Sequence, residues 1–344
     1  MTSLDDVART AGVSTATASR ALSGRGRISA ATRERVRRAA DELGYVASAT
    51  ASSLASGRAE NVGVVVPLMD RWFFATVLDG ISATLAARGY DLTLYNVTDD
   101  PAQRAHLFET SLRRGRVDGL IVLSILLADA EVAHLRALPI PVLGLGVPRA
   151  EIAALRVDDT AVGRVATEHL LALGHREIAL IGNTPPAGAD TVLDIPTRRR
   201  RGFEQAMADA GLPSAPFADA DFTVAGAQRV AHDLLTGPHP PTAIFAASDE
   251  MAYGVLAAAR ELGLAVPTDL SVIGVDGHDL AELFDLTTID QFPHTQGQRA
   301  GEAILAALDG TSQDAHVLAP VPDAPASLPF ELVVRGTTAP PRSS

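Results

Sequence analysis

The sequence contains no cysteine and no lysine, and it has only one tryptophan. Without cysteine the chain has no disulfide framework and no thiolate zinc site, which excludes a small disulfide-stapled secreted domain. No uncharged apolar run approaches the ~18 residues of a membrane span. The first ten residues, MTSLDDVART, contain two acids and no apolar stretch, so they do not resemble a secretory signal. We therefore expect a soluble, cytoplasmic protein.

The motifs of common enzyme classes are also missing. The chain has no GxxxxGK[ST] phosphate loop, no HExxH and no GxSxG. The string Gly144-Leu145-Gly146 lacks the third glycine of a dinucleotide-binding loop. The two histidines His169 and His175 do not have the i, i+4 spacing of a helical metal pair. We expect no catalysis, no cofactor and no metal site.

The charge is unevenly distributed along the chain. All 29 basic residues are arginine, and the formal net charge is -12. Residues 1–58 carry nine arginines against five acids, a net charge of +4, whereas the remainder carries 20 against 36, a net charge of −16. A small basic head on a large acidic body is typical of a nucleic-acid-binding appendage.

Capping residues predict three short helices in this head. The first begins after Ser3, in a Ser-x-x-Asp capping spacing, and ends at Gly12; the second begins after Ser14. The third begins after Ser29 and ends at Gly44. Two short helices joined by a tight Gly-containing turn form a helix-turn-helix, whose second helix docks in the DNA major groove. An ordinary helical hairpin is the alternative on geometry alone.

The body alternates short apolar runs with amphipathic segments, and the pattern starts again near residue 158. Strands are predicted at Val62–Val66, Leu92–Tyr95, Leu120–Leu123, Val142–Leu145, Ile178–Ile181, Ala243–Ala246, Val272–Val275 and Leu332–Val334. Helices are predicted at Phe73–Arg88, Ala102–Arg114, Ala161–Leu173, Gly202–Ala210, Met251–Leu262 and Gly297–Leu308. This alternation predicts an α/β core of two lobes with parallel sheets, and ligands of such sheets bind beyond the carboxyl ends of the strands.

The residue strings add a family resemblance. LDDVARTAGVSTATASRALSG and ISAATRERVRRAADELGYVASATASSLASGRAENVGVVVP resemble the head, hinge and core entry of the lactose-repressor (LacI/GalR) family of bacterial transcription regulators. Segments such as RVDGLIVLS, RRGFEQAMADAGL and SVIGVDG resemble its periplasmic-binding-protein-like core. The resemblance implies a cytoplasmic homodimeric repressor that binds a pseudo-palindromic operator in double-stranded DNA and responds to a small-molecule, carbohydrate-type effector.

The resemblance also implies a division of the chain and a set of DNA contacts. The expected parts are a helix-turn-helix head (1–47), a hinge helix and linker (48–60), a two-lobed effector-binding and dimerisation core (61–337) and a flexible tail (338–344). The DNA-binding residues it implies are Thr15, Ala16, Thr17, Ser19, Arg20, Ala51 and Leu54. Leu54 is expected to wedge into the minor groove. Ala47 and Ser48 replace the family's Pro-Asn pair, so we expect weaker hinge coupling.

For the effector, the resemblance implies a second set of residues: Phe73, Phe74, Arg199, Phe222, Ser248 and Asp276. Arg199 is expected to donate hydrogen bonds to effector oxygens, and Asp276 to accept them from effector hydroxyls. Phe73 and Phe74 are expected to form an aromatic wall of the effector site. Trp72 stands where the family has proline, so we expect this wall to be larger here. Gly146 and Val147 replace a family Asp-Arg pair. These departures disfavour a simple hexose and leave an aryl glycoside, an oligosaccharide or a ligand that is not a sugar.

A solute-binding protein of a transport system is the alternative from another class, because it shares the two-lobed core. The basic helical head and the lack of a signal peptide argue against it.

Overall fold

The structure of the chain is a computed structural model. It describes residues 2–22, 28–45, 58–97, 100–147, 149, 151–184, 195–213, 216–310 and 327–342. The chain divides into two compact units. The first comprises Met1–Asn61 with Gly115–Asp118, and the second comprises Val62–Arg114 with Gly119–Ser344. Among the described residues, no helix has both the length and the apolar character needed to cross a membrane.

The first unit contains three short helices, as the capping residues predict. They are α1 (Leu4–Ala11), α2 (Thr15–Leu22) and α3 (Ala30–Glu42). Before α1, the Ser3 hydroxyl accepts the backbone N–H of Asp6, and the Asp6 carboxylate accepts the backbone N–H of Ser3. This confirms the predicted capping box. Gly12 follows α1 with φ 63°, a left-handed conformation that lets the chain turn tightly into α2.

The three helices pack on a small apolar cluster. Its buried members are Val7, Ala8, Ala11, Ala18, Ala21, Val36, Ala39 and Ala40. The Arg35 Nε donates to the carbonyl oxygen of Ala11 at 2.9 Å, which joins α3 to the end of α1. Most of these side chains are small, so the helices approach closely. The predicted helix-turn-helix arrangement is confirmed.

The second unit contains two six-stranded sheets, one in each of two lobes. The first-lobe strands are β1 (Asn61–Val66), β2 (Asp91–Asn96), β3 (Gly119–Leu123), β4 (Val142–Leu145), β5 (Ala154–Val157) and β11 (Ser327–Leu328). The second-lobe strands are β6 (Ile178–Gly182), β7 (Phe217–Asp219), β8 (Ala243–Ala246), β9 (Ser271–Asp276), β10 (Thr287–Asp290) and β12 (Glu331–Val333). Their spatial orders are β11-β5-β4-β3-β1-β2 and β12-β10-β9-β8-β6-β7.

Parallel pairing dominates both sheets. β3 pairs in parallel with β1 and with β4, and β8 pairs in parallel with β6 and with β9. β12, at the edge of the second sheet, is antiparallel to its neighbour β10. The central strands are buried along their length, which explains why they are continuous apolar runs in the sequence. The predicted α/β class with parallel sheets in two lobes is confirmed.

Helices cover both sheets. They are α4 (Trp72–Ala86), α5 (Pro101–His106), α6 (Asp129–Arg136), α7 (Asp159–Ala172), α8 (Ile195–Asp209), α9 (Val224–Thr236), α10 (Asp249–Glu261) and α11 (Pro293–Leu308). α4 packs against α11, α7 against α8, and α9 against α10. The helix predicted at Ala102–Arg114 is instead α5 followed by a π-helical turn at Leu107–Ser111 and a 3₁₀ turn at Leu112–Arg114.

The lobes are not consecutive halves of the chain. The predicted restart near residue 158 coincides with the passage from β5 into α7. The chain then returns to the first lobe, because α11 packs on α4 and β11 joins the first sheet. It passes back once more, with β12 on the edge of the second sheet. The sequence patterns did not predict this exchange, since they missed β11, and they also missed β10 in the second lobe.

The carboxyl-terminal segment differs from the expected flexible tail. The Thr338 hydroxyl lies 2.9 Å from His169 Nε2, and Ala339 N donates to the Ser271 hydroxyl at 3.1 Å. Arg342 Nη1 lies 2.6 Å from Asp269 Oδ1. The expectation of a flexible tail from residue 338 is therefore wrong through residue 342, because hydrogen bonds and an ion pair hold this segment on the second lobe.

Candidate functional site

A cavity of about 250 Å³ lies between the two lobes of the second unit. It is formed where strands end: Ser124 follows β3, Asn183 follows β6, and Gln291 follows β10. This is the position at which ligands bind in open parallel sheets. All six residues that the sequence predicts for the effector site line this cavity: Phe73, Phe74, Arg199, Phe222, Ser248 and Asp276.

Arg199 is the centre of a buried hydrogen-bond network at the inner end of the cavity. Its side chain is only 6% exposed. Nε donates to Asp159 Oδ1 at 3.0 Å, Nη1 to the Ala247 carbonyl oxygen at 2.6 Å, and Nη2 to Gln291 Oε1 at 3.1 Å. Three of the five guanidinium N–H donors are thus held by protein groups, which fixes the plane and the direction of the fork.

The position of Arg199 follows from the crossing of α7 and α8. Gly163 on α7 faces the backbone of Arg199, and a Cβ at Gly163 would overlap the Arg199 carbonyl oxygen. Gly202 on α8 faces the carbonyl of Thr160 in the same way. The two glycines let the helices approach closely, so Arg199 reaches Asp159 in the first turn of α7.

Two buried carboxyl groups accompany Arg199. Burial raises the pKa of Asp159, and the charge of Arg199 partly offsets that rise. Burial raises the pKa of Asp276 well above its usual value, and Arg199 again opposes the shift. A buried charge is tolerated only when it is paired or hydrogen-bonded, so Arg199 and Asp159 each depend on the other.

Gln291 joins the arginine to the second carboxyl group. It accepts from Arg199 through Oε1 and donates to Asp276 Oδ1 through Nε2 at 2.7 Å. Gln296 donates to the backbone carbonyl of Gln291 at 2.7 Å and also lines the cavity. Neither glutamine was predicted from the sequence. Gln291 directly follows the unpredicted strand β10, so recognising that strand would have indicated it.

Aromatic side chains from both lobes form the wall of the cavity. Phe73 and Phe74, in the first turn of α4, meet edge to face with ring centroids 5.6 Å apart. Phe222 contributes its side chain to the wall from the second lobe, and its backbone has a positive φ of 52°. The expectation that Trp72 enlarges this aromatic wall is wrong, because Trp72 is not among the residues that line the cavity. It stacks on His278 instead.

Two charged residues near the mouth were not predicted. Arg71 precedes α4 in the first lobe, and Glu250 lies in the first turn of α10 in the second lobe; both line the cavity. Burial raises the pKa of Glu250, and the positive charge of Arg71 counteracts this rise. Arg71 Nε is buried without a hydrogen-bond partner among the described residues. A ligand acceptor group would satisfy it.

In the first unit, α2 presents the side chains predicted to contact DNA. Thr15, Ala16 and Arg20 are exposed, and Thr17 and Ser19 are half-buried. The Ser14 hydroxyl accepts the backbone N–H of Thr17 at 3.2 Å and caps the helix. The Thr15 hydroxyl donates to Asp5 Oδ1 at 2.7 Å, and Arg20 Nε donates to the Ala16 carbonyl at 3.1 Å. The predicted contacts Ala51 and Leu54 lie outside the described residues.

Comparisons with known proteins agree on both units. Residues 3–48 match the family model "Bacterial regulatory proteins, lacI family", and residues 167–338 match "Periplasmic binding protein-like domain". The HTH-type transcriptional repressor CytR of Escherichia coli (strain K12) is 35% identical over 341 residues, which is 97% of this chain and 96% of that protein. The alternative of a transport protein is therefore not supported, since full-length relatives carry the DNA-binding head.

Two solved structures extend the similarity to three dimensions. The lac repressor dimer bound to operator and the anti-inducer ONPF is 27% identical with a TM-score of 0.85, covering 98% of this chain and 99% of that chain. The complex of the transcriptional regulator CelR with cellobiose is 28% identical with a TM-score of 0.69, covering 98% and 100%. The two-lobed core with a helical head is thus the architecture of these regulators.

Proposed function

Since the chain belongs to the lacI family of bacterial regulatory proteins and is a DNA-binding repressor with an effector-binding core, we propose that a carbohydrate-type effector binds in the cavity between its lobes and releases it from the operator. The effector is expected to contact Phe73, Phe74, Arg199, Phe222, Ser248 and Asp276. The relative CelR was solved with cellobiose, which supports this class of ligand.

The observation that carries the proposal is that all six side chains implied by the family resemblance line one cavity. At its inner end, Arg199 and Asp276 offer donors and an acceptor to hydroxyl groups. Its wall is aromatic, which suits the apolar faces of a sugar ring or an aryl substituent. An elongated ligand with hydroxyl groups at one end and an apolar portion, such as an aryl glycoside or an oligosaccharide, fits this division.

The DNA side of the proposal rests on the head. In a homodimer, two copies of α2 read the two halves of a pseudo-palindromic operator. Thr15, Ala16, Thr17, Ser19 and Arg20 contact bases and phosphates, while Ala51 and Leu54 of the hinge (48–60) enter the minor groove. Closure of the lobes around the effector changes the dimer geometry and unfolds the hinges. The core (61–337) serves as a binding module without catalysis, and the regulator acts in the cytoplasm.

A thermal-shift experiment on the full-length protein tests the effector site. A panel of monosaccharides, disaccharides and aryl glycosides is screened, because a ligand that binds only the folded state raises the melting temperature by mass action. Arg199→Ala is expected to abolish the shift. The matched control is Arg200→Ala, whose side chain is 44% exposed and pairs with Glu204. No shift with any compound, or an unchanged shift in Arg199→Ala, would contradict the proposal.

A further inference from the structure

The lobes make a direct aromatic contact beside the cavity. Trp72 is the first residue of α4 in the first lobe, and His278 follows β9 in the second lobe. Their rings stack with centroids 4.3 Å apart and an interplanar angle of 24°. Each belongs to a segment that lines the cavity, since Trp72 lies between Arg71 and Phe73, and His278 follows Asp276 by two positions. The stack therefore sits at the rim of the proposed effector site.

The second lobe holds His278 firmly. Its side chain is 8% exposed, and its backbone N–H donates to Asp249 Oδ2 at 2.8 Å. The backbone N–H of Leu280 donates to His278 Nδ1 at 3.0 Å. The Tyr253 ring meets the His278 ring edge to face, with centroids 5.3 Å apart. Thus His278 is a fixed platform of the second lobe.

Trp72 belongs to the first lobe. It begins α4, which packs on α11 in the first lobe, and its ring is half-buried. Any separation of the lobes at this rim separates the two rings. Arg71 and Glu250, one from each lobe, both line the cavity and attract each other by their opposite charges.

We propose that Trp72 and His278 form a latch that holds the two lobes in the closed position over the cavity. This inference rests on the proposed function, because the latch matters only if the cavity receives an effector. The stack must part for the effector to enter, and it re-forms above the bound effector. Stacked aromatic pairs of this kind are expected to change the ratio of closed to open lobes by about threefold to tenfold.

The composition of the chain makes the latch measurable. Trp72 is the sole tryptophan, so tryptophan emission, excited where tyrosine does not absorb, reports on this site alone. The chain has no cysteine, so spin labels on two introduced cysteines report one distance between lobes. Suitable positions are Glu109 in the first lobe and Asp233 on α9 in the second lobe, both exposed. Labelled chains are diluted with unlabelled chains, so that each dimer carries one labelled protomer.

Two variants and one control are compared without effector or DNA. His278→Asn removes the ring but keeps an acceptor for the Leu280 N–H, and Trp72→Leu removes the stack from the other side. His232→Asn on α9, whose side chain is 48% exposed, is the control. In both latch variants the open population of the interlobe distance distribution is expected to rise about threefold to tenfold. In His278→Asn, acrylamide quenching of Trp72 is also expected to rise.

The outcomes separate a latch from a passive contact. If acrylamide quenching of Trp72 rises in His278→Asn while the interlobe distances stay unchanged in both variants, the stack is local packing and the proposal is wrong. Unchanged quenching and unchanged distances also overturn it. Trp72→Leu keeps the test decisive if His278→Asn does not fold. Because no effector is present, a failure here leaves the thermal-shift test of the proposed function untouched.

Discussion

At the scale of single residues, the cavity is organised by buried polar groups that depend on one another. Arg199, Gln291 and Asp276 form one chain of hydrogen bonds, and Asp159 balances the arginine. The family resemblance implied Arg199 and Asp276 as effector-binding residues, and both line the cavity. It did not identify Gln291, Gln296, Arg71 or Glu250, because their roles come from long-range contacts that no local pattern records.

The buried Asp249 predicts a pH-dependent stability. Burial raises its pKa to about 6, although it accepts hydrogen bonds from Thr288 and from the backbone of His278. The unfolded chain loses this proton near pH 4, so the folded state binds the proton more tightly between pH 4 and 6. The contribution of this group to the free energy of unfolding therefore falls as the pH rises through that window, by about 3 kcal/mol.

Asp249→Asn is expected to flatten this part of the stability profile. The Thr288 hydroxyl can rotate to accept a hydrogen bond from the new amide NH₂ group, and the amide oxygen can still accept the His278 N–H. Urea unfolding between pH 4 and 6 measures the effect. Asp233→Asn, whose side chain is 80% exposed, is the control and should keep the slope of the original protein. Equal slopes in all three proteins would show that Asp249 does not hold its proton in the folded state.

At the scale of elements, the glycines at the crossing of α7 and α8 decide where the Arg199 side chain lies. Gly163→Ala is expected to push α8 away from α7, since its Cβ overlaps the Arg199 carbonyl. Overpacking of this kind lowers the free energy of unfolding by about 1–3 kcal/mol. Effector affinity should fall as well, because Arg199 is displaced. Chemical denaturation and ligand titration measure both effects.

The control for this variant is Gly237→Ala. A Cβ there would meet its nearest neighbours at an ordinary 3.4 Å. If Gly163→Ala keeps full stability and full effector affinity, the close crossing of α7 and α8 does not position Arg199.

The hinge proposed at residues 48–60 provides the second prediction at this scale. Leu54→Ala should weaken specific operator binding by more than it weakens non-specific DNA binding, since only a specific complex gains from a leucine wedge. Titration of operator and of unrelated duplex at the same salt concentration measures both losses. Equal losses of affinity for the two duplexes would contradict the insertion of Leu54 into the minor groove.

Elements whose burial is uniform could be predicted from the sequence. β4 and β8 agree with their apolar runs to the residue. β10 could not, because Thr287 and Thr288 are polar yet fully buried, and hydrogen bonds to Arg335 and Asp249 satisfy them. Such partners are distant in sequence, so a local pattern reads these threonines as surface or loop. The exchange of segments between lobes was missed because β11, the strand that returns to the first sheet, is only two residues long.

At the scale of the whole molecule, the charge distribution matches the division between a DNA-binding head and an effector-binding core. The head carries a net charge of +4 and the remainder −16. Operator affinity should therefore fall steeply with salt, with a slope of about −0.9 per neutralised phosphate. Fluorescence anisotropy between 50 and 200 mM salt, concentrations at which phosphate contacts weaken strongly, measures the slope. A protein lacking the head should bind no DNA at any salt, and a nearly flat salt dependence would contradict this division.

Coupling between cavity and operator is tested most directly by measuring operator affinity with and without the compound that stabilises the core. The operator is first selected from genomic fragments by binding to the full-length protein. Saturating effector is expected to weaken operator binding at least about tenfold, which is a change of about 1.4 kcal/mol. Arg200→Ala should respond equally, and Arg199→Ala should bind the operator without responding. An effector that raises the melting temperature but leaves the operator affinity of the original protein unchanged would contradict release by effector binding.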